Sequence, residues 1–458
     1  MPHAFHPSIL REYDIRGIVG QTLSCADAHA LGRTFASLVF ENGGKTVCVG
    51  LDGRLSSPEL ESALVGALVA SGLTVHRIGM GPTPMLYYAA HVADADGAIM
   101  VTGSHNPADH NGFKIVLAGK PFYADQIRDL GRRAAAGTGH SRAGGRALDI
   151  PVMGAYVDRL LEDYRGLRPL TVVWDSGNGA AGDVMTRLTA ALPGTHILLN
   201  AEIDGTFPAH HPDPTEPKNL IQLIDTVRHH GADLGIAFDG DGDRIGVVDS
   251  LGRIMWGDQL LMLLAEDMLA TRPGAMVLAD VKSSQALFDH VAALGGQPVM
   301  CPTGHSLVKT RMAESGAPLA GEMSGHLFFA DSYFGYDDAL YAAIRFVGMV
   351  SRWQDTTLAQ RYDRLPRLHN TPELRIPCPD DRKFDVVSEV RNRLVEAGAG
   401  MVAIDGVRVT TRDGWWLLRA SNTQATLVAR CESTSDVGLA RLRRALTIQL
   451  AASEVAFP

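Results

Sequence analysis

The 458-residue chain lacks paired cysteines, long apolar runs and an excess of positive charge. Its five cysteines, Cys25, Cys48, Cys301, Cys378 and Cys431, are odd in number, far apart and never arranged as C-x-x-C. That excludes a disulfide framework and a zinc ribbon, and it predicts free thiols in a reducing compartment. No apolar stretch reaches about 18 residues, so no membrane span is expected. Met1 to His6 has no basic segment ahead of an apolar one, so secretion is not expected either, and the expected location is cytoplasmic. A formal net charge of -9 argues against nucleic acid or an anionic membrane as a bulk partner. It leaves room for a local basic pocket that accepts a phosphorylated metabolite.

What is present is an ordinary soluble composition, 46% hydrophobic and 20% charged, on a chain too long for one hydrophobic core. Strand-like and helix-like stretches alternate from Cys25 onward: a helix to Glu41, a strand Thr46 to Leu51, a helix to Ala70, a strand Thr74 to Ile78 and a helix Pro84 to Val92. Such alternation predicts α/β layers with parallel strands, whose ligands gather at the strands' carboxyl ends. Ala134 to Arg146 has a linker composition and Pro366 to Pro379 is proline-rich. The expected units are 1–150, 151–253, 254–366 and 367–458, the last being α+β.

Several strands run into loops rich in chemistry. Gly97 to Val101 leads to Thr102-Gly103-Ser104-His105-Asn106-Pro107, which reads as an exposed turn with Ser104 at its apex. A serine there is a poor nucleophile unless a base, a metal or a positive environment activates it. Lys114, in the strand leaving the loop, can face back toward Ser104. Leu234 to Phe238 leads to Asp239-Gly240-Asp241-Gly242-Asp243-Arg244. Three carboxylates alternating with glycines repel one another unless they converge on a cation. A calcium EF-hand fails, because Arg244 stands where the turn glycine belongs and Ser250 where the closing glutamate belongs. Magnesium suits the set better, and Arg244 is placed to pair with a carboxylate or a phosphate.

Other loops are weaker signals. Pro298 to Cys301 runs into a loop with His305, a position that suits a proton shuttle. Glu322, Ser324 and His326 alternate, so an extended loop puts an acid, a hydroxyl and an imidazole on one face, as a polyol reader needs. Arg419-Ala420-Ser421-Asn422-Thr423 at a strand end is a plausible phosphate cradle. Tyr13 and Arg16 stand in an early strand or turn, Arg16 beside a glycine where it can present its guanidinium to an anion. Two motifs compete with these. Gly177-Asn178-Gly179-Ala180-Ala181-Gly182 follows a strand and fits a dinucleotide fingerprint, with Glu202 as the later acid. Gly43-Gly44-Lys45-Thr46 echoes a phosphate-binding loop, but its first glycine is replaced by Val39 and a strand follows it.

Taken in order, Tyr13 to Gly17, Thr102 to Pro107, Asp239 to Arg244, Gly321 to His326 and Arg419 to Thr423 resemble the motifs of the α-D-phosphohexomutase family, in its bacterial phosphomannomutase/phosphoglucomutase branch. The resemblance covers the whole chain. It implies an α/β fold: three related α/β domains with mixed sheets plus a C-terminal α+β domain around a central cleft. It also implies that the glycine-rich stretch near residue 180 is scaffold. Ser104 is implied as a phosphoserine supported by His105 and Asn106, with Mg²⁺ held by Ser104, Asp239, Asp241 and Asp243. Lys114, His305 and Arg16 are implied in catalysis. Tyr13, Arg244, Glu322, Ser324, His326, Arg419, Ser421, Asn422 and Thr423 are implied in binding a phosphorylated hexose.

The implied reaction exchanges hexose 1-phosphate and hexose 6-phosphate through glucose 1,6-bisphosphate or mannose 1,6-bisphosphate, with the last domain closing over the substrate. An amino-sugar mutase, a sugar-phosphate phosphatase and a non-catalytic binder are the alternatives. A monomer or small homo-oligomer is expected. One departure is Gln424-Ala425-Thr426, where relatives commonly place an acidic or small residue and a proline.

Overall fold

The computed structural model describes residues 2–139, 142–422 and 424–457. Four sheets organise these residues. The first has Thr46–Leu51 at its middle, parallel to both Gly97–Val101 and Thr74–Met80. The buried run of Gly97–Val101 and the nearly buried Thr46–Leu51 are the uninterrupted apolar strands a two-sided parallel layer requires. The stretch read as a linker ends in a strand, Arg146–Asp149, parallel to Thr74–Met80, so the first sheet extends to residue 149.

The second sheet pairs Leu170–Asp175 with Gly194–Leu199 and Leu234–Phe238 in parallel. The third does the same with Met276–Asp280 between Gln297–Cys301 and Leu319–Gly321. The fourth sheet is wholly antiparallel, built on Val407–Thr411, Gly414–Ala420 and Thr426–Ser433, with helices Lys383–Glu396 and Asp436–Ala451 beside it.

One device recurs in all four sheets. A strand ends in a loop, and the chain returns antiparallel to that strand. Gly97–Val101 returns as His110–Leu117, Leu234–Phe238 as Ile245–Asp249, Leu319–Gly321 as Leu327–Phe329 and Gly414–Ala420 as Thr426–Ser433. The loops between these pairs hold Ser104, the three aspartates, Glu322 to His326, and Ser421 with Asn422. An antiparallel return fixes each loop at both ends, so its side chains are held by two ladders of hydrogen bonds.

The largest apolar cluster is shared by the first three sheets' units. It takes in Met85 and Leu86, Tyr156 and Trp174, and Leu261 and Leu340, all fully buried. The fourth unit has its own cluster, from Ile376 to Leu450. Its apolar link to the third is small: Val281 against Trp415 and Leu417. No helix among the described residues is long and apolar enough to cross a membrane. All five cysteines are free.

Candidate active site

Ser104 is buried, with 2% of its surface exposed, although the sequence pattern suggests an exposed apex. The cause is the second unit, whose acidic loop packs over the turn. A Cβ on Gly240 would lie 2.4 Å from the Ser104 carbonyl oxygen, so only glycine lets the two loops meet this closely. Ser104 adopts φ of +51°, a conformation that a non-glycine residue keeps only when its surroundings hold it there.

Two residues outside the motifs provide that hold. Asp52, just past the strand Thr46–Leu51, accepts hydrogen bonds from Thr102 Oγ1 (2.7 Å), the Gly103 amide (3.1 Å), the Arg54 amide (3.0 Å) and Ser57 Oγ (2.5 Å). Arg54, 1% exposed, donates to the carbonyls of Ser104 (2.7 Å), Asn106 (2.6 Å), Pro107 (2.5 Å) and His110 (3.0 Å), and through Nε to Asp52 (3.2 Å). One buried guanidinium therefore serves four carbonyls of the turn, of which Pro107 also accepts the His110 amide. Their sequence signal is a charged pair, Asp52-Gly53-Arg54, at the carboxyl end of a buried strand.

Ser104 Oγ lies 3.3 Å from Asp239 Oδ2 and 3.2 Å from His105 Nδ1. Burial, helped by Arg244 and Arg16, pushes the His105 imidazole well below its usual range, which keeps it neutral. Arg16 donates to Asn106 Oδ1 at 3.0 Å and pairs with Asp14.

Asp239, Asp241 and Asp243 are fully buried, with ligand oxygens within 4.8 Å of one another. Asp239 Oδ1 accepts the amides of Asp243 (3.0 Å) and Arg244 (3.1 Å), which leaves Oδ2 toward Ser104. Burial and the neighbouring Asp243 and Asp241 drive the Asp239 carboxyl well above the carboxylate range. Burial also opposes ionisation of Asp243, but Lys114 and His326 outweigh it and hold that group well below the range. Lys114 is buried between Asp241 Oδ2 (2.7 Å) and Asp243 Oδ2. Burial disfavours its charge, yet these carboxylates keep it firmly protonated. Asp241 Oδ1 is buried with no hydrogen-bond partner among the described residues, and Asp243 Oδ1 has only the His326 imidazole, at 3.3 Å. Buried carboxylate oxygens left this poorly paired fit a cation-binding set of hard oxygen donors. Thr83 of the first unit secures the loop, its amide on the Asp241 carbonyl (2.8 Å) and its hydroxyl on Asp241 Oδ2 (2.5 Å).

The dinucleotide-like stretch lies directly behind this loop. The Ala180 amide donates to the Gly240 carbonyl at 2.9 Å, so the glycine-rich turn braces the acidic one.

Glu322, Ser324 and His326 do meet, but through a tight turn and not an extended loop: the Gly325 amide bonds the Glu322 carbonyl at 3.0 Å. His326 Nδ1 lies 3.0 Å from Glu322 Oε2 and 3.0 Å from Ser324 Oγ, while Nε2 lies 3.3 Å from Asp243 Oδ1. Burial opposes its charge, but Asp243 and Glu322 prevail and raise the imidazole to about 9. Arg244 Nε approaches the same Nε2 at 3.3 Å. Glu322 Oε1 accepts the Gly304 amide at 2.6 Å.

His305 opens the helix His305–Ser315 and stacks on His326, with centroids 5.5 Å apart. Its Nδ1 lies 3.2 Å from Asp337 and 3.3 Å from Lys309, which themselves pair at 2.8 Å. Burial and Lys309 lower its pKa, so it is held neutral. No hydrogen bond among the described residues engages Nε2.

In the fourth unit Arg419 is 5% exposed and donates through Nε to Asp405 at 2.9 Å. Asn422 Nδ2 donates to the Tyr13 hydroxyl at 2.5 Å, which links this loop to the first unit. Thr423 lies outside the described residues. After it the loop is closed by the Gln424 amide on Ser421 Oγ (3.1 Å) and by buried Lys383 on the Gln424 carbonyl (3.0 Å). Sequence reading missed Asp52, Arg54, Thr83, Lys309, Asp337 and Asp405, each of which acts through a residue distant in the chain.

Four family models match in order: phosphoglucomutase/phosphomannomutase α/β/α domain I over residues 7–139, domain II over 154–252, domain III over 256–368 and the C-terminal domain over 373–449. A phosphomannomutase/phosphoglucomutase of Pseudomonas aeruginosa is 43% identical over 451 residues, covering 98% of this chain and 97% of the relative. A phosphoglucomutase of Neisseria gonorrhoeae is 40% identical over 439 residues, 95% of each. The crystal structure of a phosphoglucomutase/phosphomannomutase family protein from Burkholderia thailandensis superposes with a TM-score of 0.92 at 43% identity, covering 98% of both chains. The chain belongs to the phosphoglucomutase/phosphomannomutase family of α-D-phosphohexomutases.

Proposed function

We propose that this chain is a phosphomannomutase/phosphoglucomutase, an intramolecular phosphotransferase that reversibly interconverts the 1- and 6-phosphates of mannose and/or glucose. The observation that carries the reading is Ser104 Oγ, 3.3 Å from a buried aspartate in a three-carboxylate cluster in which Asp241 Oδ1 has no partner among the described residues. The four units, 1–150, 151–253, 254–366 and 367–458, all contribute to the site. The enzyme is cytoplasmic, where phosphorylated hexoses and reduced thiols coexist.

Ser104 carries the phosphoryl group before substrate arrives. Its Oγ–P bond breaks as a P–O bond forms to the free hydroxyl of the sugar, at C6 of a 1-phosphate or C1 of a 6-phosphate. The proton of that hydroxyl goes to a base, and Ser104 Oγ takes up a proton as it is released; His305 Nε2 is suited as the base, because its imidazole is neutral and that nitrogen is unengaged. Lys114, charged and buried, sits where phosphoryl charge concentrates and stabilises it electrostatically. The resulting 1,6-bisphosphohexose turns over and returns its other phosphate to Ser104 Oγ, restoring the phosphoserine. Glucose 1,6-bisphosphate or mannose 1,6-bisphosphate recharges any serine that loses its phosphate. Asp239, Asp241 and Asp243, with Ser104, would hold a divalent ion, Mg²⁺ by its preference for oxygen donors, which screens phosphoryl charge.

Arg419, Ser421, Asn422 and Thr423 clamp the phosphate that is not reacting, and Tyr13, Arg16 and Arg244 add to the anion site. Glu322, Ser324 and His326 face the sugar. The reading is tested by Ser104→Ala, which should lower mutase turnover more than about 10³-fold, the loss of a covalent nucleophile. Intact mass spectrometry should find a phosphate-sized increment on the wild type and none on the variant. Full turnover by Ser104→Ala would overturn it. Rates on mannose 1-phosphate and glucosamine 1-phosphate separate this reading from an amino-sugar mutase.

A further inference from the structure

We propose that Asp405 is a positioning residue of the phosphate clamp, aiming Arg419 and registering it against the loop that carries His305; this rests on the mutase reading above. A single carboxylate oxygen, Asp405 Oδ2, accepts Arg419 Nε at 2.9 Å and the Thr303 amide at 2.9 Å. The Thr303 carbonyl then accepts the Tyr13 hydroxyl at 2.7 Å, and that hydroxyl accepts from Asn422 Nδ2 at 2.5 Å. A ring of hydrogen bonds thus leaves the clamp at Arg419, crosses the third and first units and re-enters the clamp at Asn422. The crossing is tight: a Cβ on Gly304, whose φ is +132°, would lie 2.5 Å from the Tyr13 ring.

Asp405 is the member of this ring that turns a guanidinium into a directed fork. Using Nε for Asp405 leaves Nη1 and Nη2, neither engaged by a hydrogen bond among the described residues, as the parallel pair that matches two phosphate oxygens. Fixing that plane before substrate arrives removes side-chain entropy from binding. The Thr303 contact ties the fork's position to His305, two residues further on, so the clamped phosphate and the proton acceptor keep a fixed relation.

The test is steady-state kinetics with glucose 1-phosphate on the full-length enzyme. Asp405→Ala should raise KM about tenfold while kcat falls less than about threefold, the pattern of lost binding common to ground and transition states. Asp405→Asn keeps an acceptor oxygen without the charge, so its KM should lie between those of Asp405→Ala and wild type. Arg419→Ala should raise KM further, and Asp405→Ala added to it should raise KM much less than it does alone, because its main effect runs through Arg419.

A contact that only stabilises the fold would leave KM unmoved and would add its effect to that of Arg419→Ala; either result overturns the inference. If Asp405→Ala does not fold, Asp405→Asn decides, and a wild-type KM in that variant counts against it. Absence of mutase turnover in the wild type would overturn the mutase reading and this inference together. Normal wild-type turnover with an unmoved KM in both variants sinks this inference alone.

Discussion

The turn around Ser104 and the turn after Arg419 are built alike and held differently. Each joins two antiparallel strands and each is proposed to hold a phosphate. The first is saturated by its own unit, with buried Arg54 on four carbonyls and buried Asp52 on five donors. The second unit then closes on it through Gly240, and the first three units share one apolar core. The clamp turn belongs to a unit with a separate core.

That fourth unit meets the third through a three-residue apolar cluster and buried arginines on backbone carbonyls. Arg408 donates to the Val281 and Ser283 carbonyls at 2.7 Å each, and Arg430 to the Lys282 carbonyl at 2.5 Å. Polar docking of this kind costs little to break and remake, whereas a shared apolar core resists sliding. The difference assigns tasks. On the proposed function, the phosphoryl carrier must keep an ångström-scale relation to the acidic cluster, and the proposed clamp must open to admit a hexose phosphate and close to exclude water.

Arg54→Ala attacks the rigid side of this comparison and should have the largest effect. It takes the shared donor from four carbonyls, of which Pro107 keeps the His110 amide, and leaves a buried Asp52 without its counter-ion, which costs about 3–5 kcal/mol. Denaturant unfolding measures the loss, and Arg54→Lys should not repair it, since one ammonium cannot reach four carbonyls in a plane. A loss below about 1 kcal/mol would mean that the turn is held some other way.

Gly240→Ala comes next and separates position from stability. Its Cβ must push the acidic loop off the Ser104 carbonyl, so turnover should fall about 100-fold, as for a reacting group displaced by about an ångström. The melting temperature should drop only a few degrees. Equal turnover would show that the two loops need not touch.

Tyr13→Phe tests the mobile side and should do less. It removes the hydroxyl that joins Asn422 to the Thr303 carbonyl. KM for glucose 1-phosphate should rise about three- to tenfold, the worth of one or two neutral hydrogen bonds, with the melting temperature nearly unchanged. A large stability loss with an unchanged KM would make Tyr13 a structural pillar, and the contrast between the two turns would weaken.

The contrast also explains which parts were legible in the sequence. Ser104, the three aspartates and Arg419 stand in contiguous motifs at strand ends, where hydrophobic runs give way to small and polar residues. Pattern and chemistry coincide there. Asp52, Arg54, Asp337 and Asp405 act on Thr102, Ser104, His305 and Arg419, between 14 and 50 positions away in the chain, and nothing local marks such partners. Burial of Ser104 was missed for the same reason, since the covering loop lies 135 residues on. The Glu322 to His326 set was read as an extended alternation, but Gly325, at a φ of +90°, folds it into a turn that brings the side chains together differently. The glycine-rich stretch near residue 180 shows the converse. Its spelling fits a nucleotide loop, and its backbone serves packing against Gly240.

The smallest expected effect lies at the entrance to the fourth unit. Glu373 accepts Lys282 at 3.1 Å, and the lysine is followed by Arg375 as a second cation at 3.2 Å. Lys282 dominates, opposed by burial and aided by Arg375, and the carboxyl is lowered to about 2. A depressed carboxyl binds its proton more weakly folded than unfolded. Its stabilisation is therefore complete above the ordinary value near 4.5 and is lost as pH falls from there through about 2. Glu373→Gln removes the charge at every pH, so it should be less stable than wild type by about 1–2 kcal/mol at pH 7. The gap should narrow on acidification below pH 4.5 and close near pH 2. Thermal melts of both proteins at pH 7, 4.5 and 3 measure it, the difference between them cancelling the other carboxylates. If the gap stays constant with pH, the Lys282–Glu373 pair does not hold this entrance, and the docking of the fourth unit rests on its other contacts, the arginines and the Val281 cluster among them.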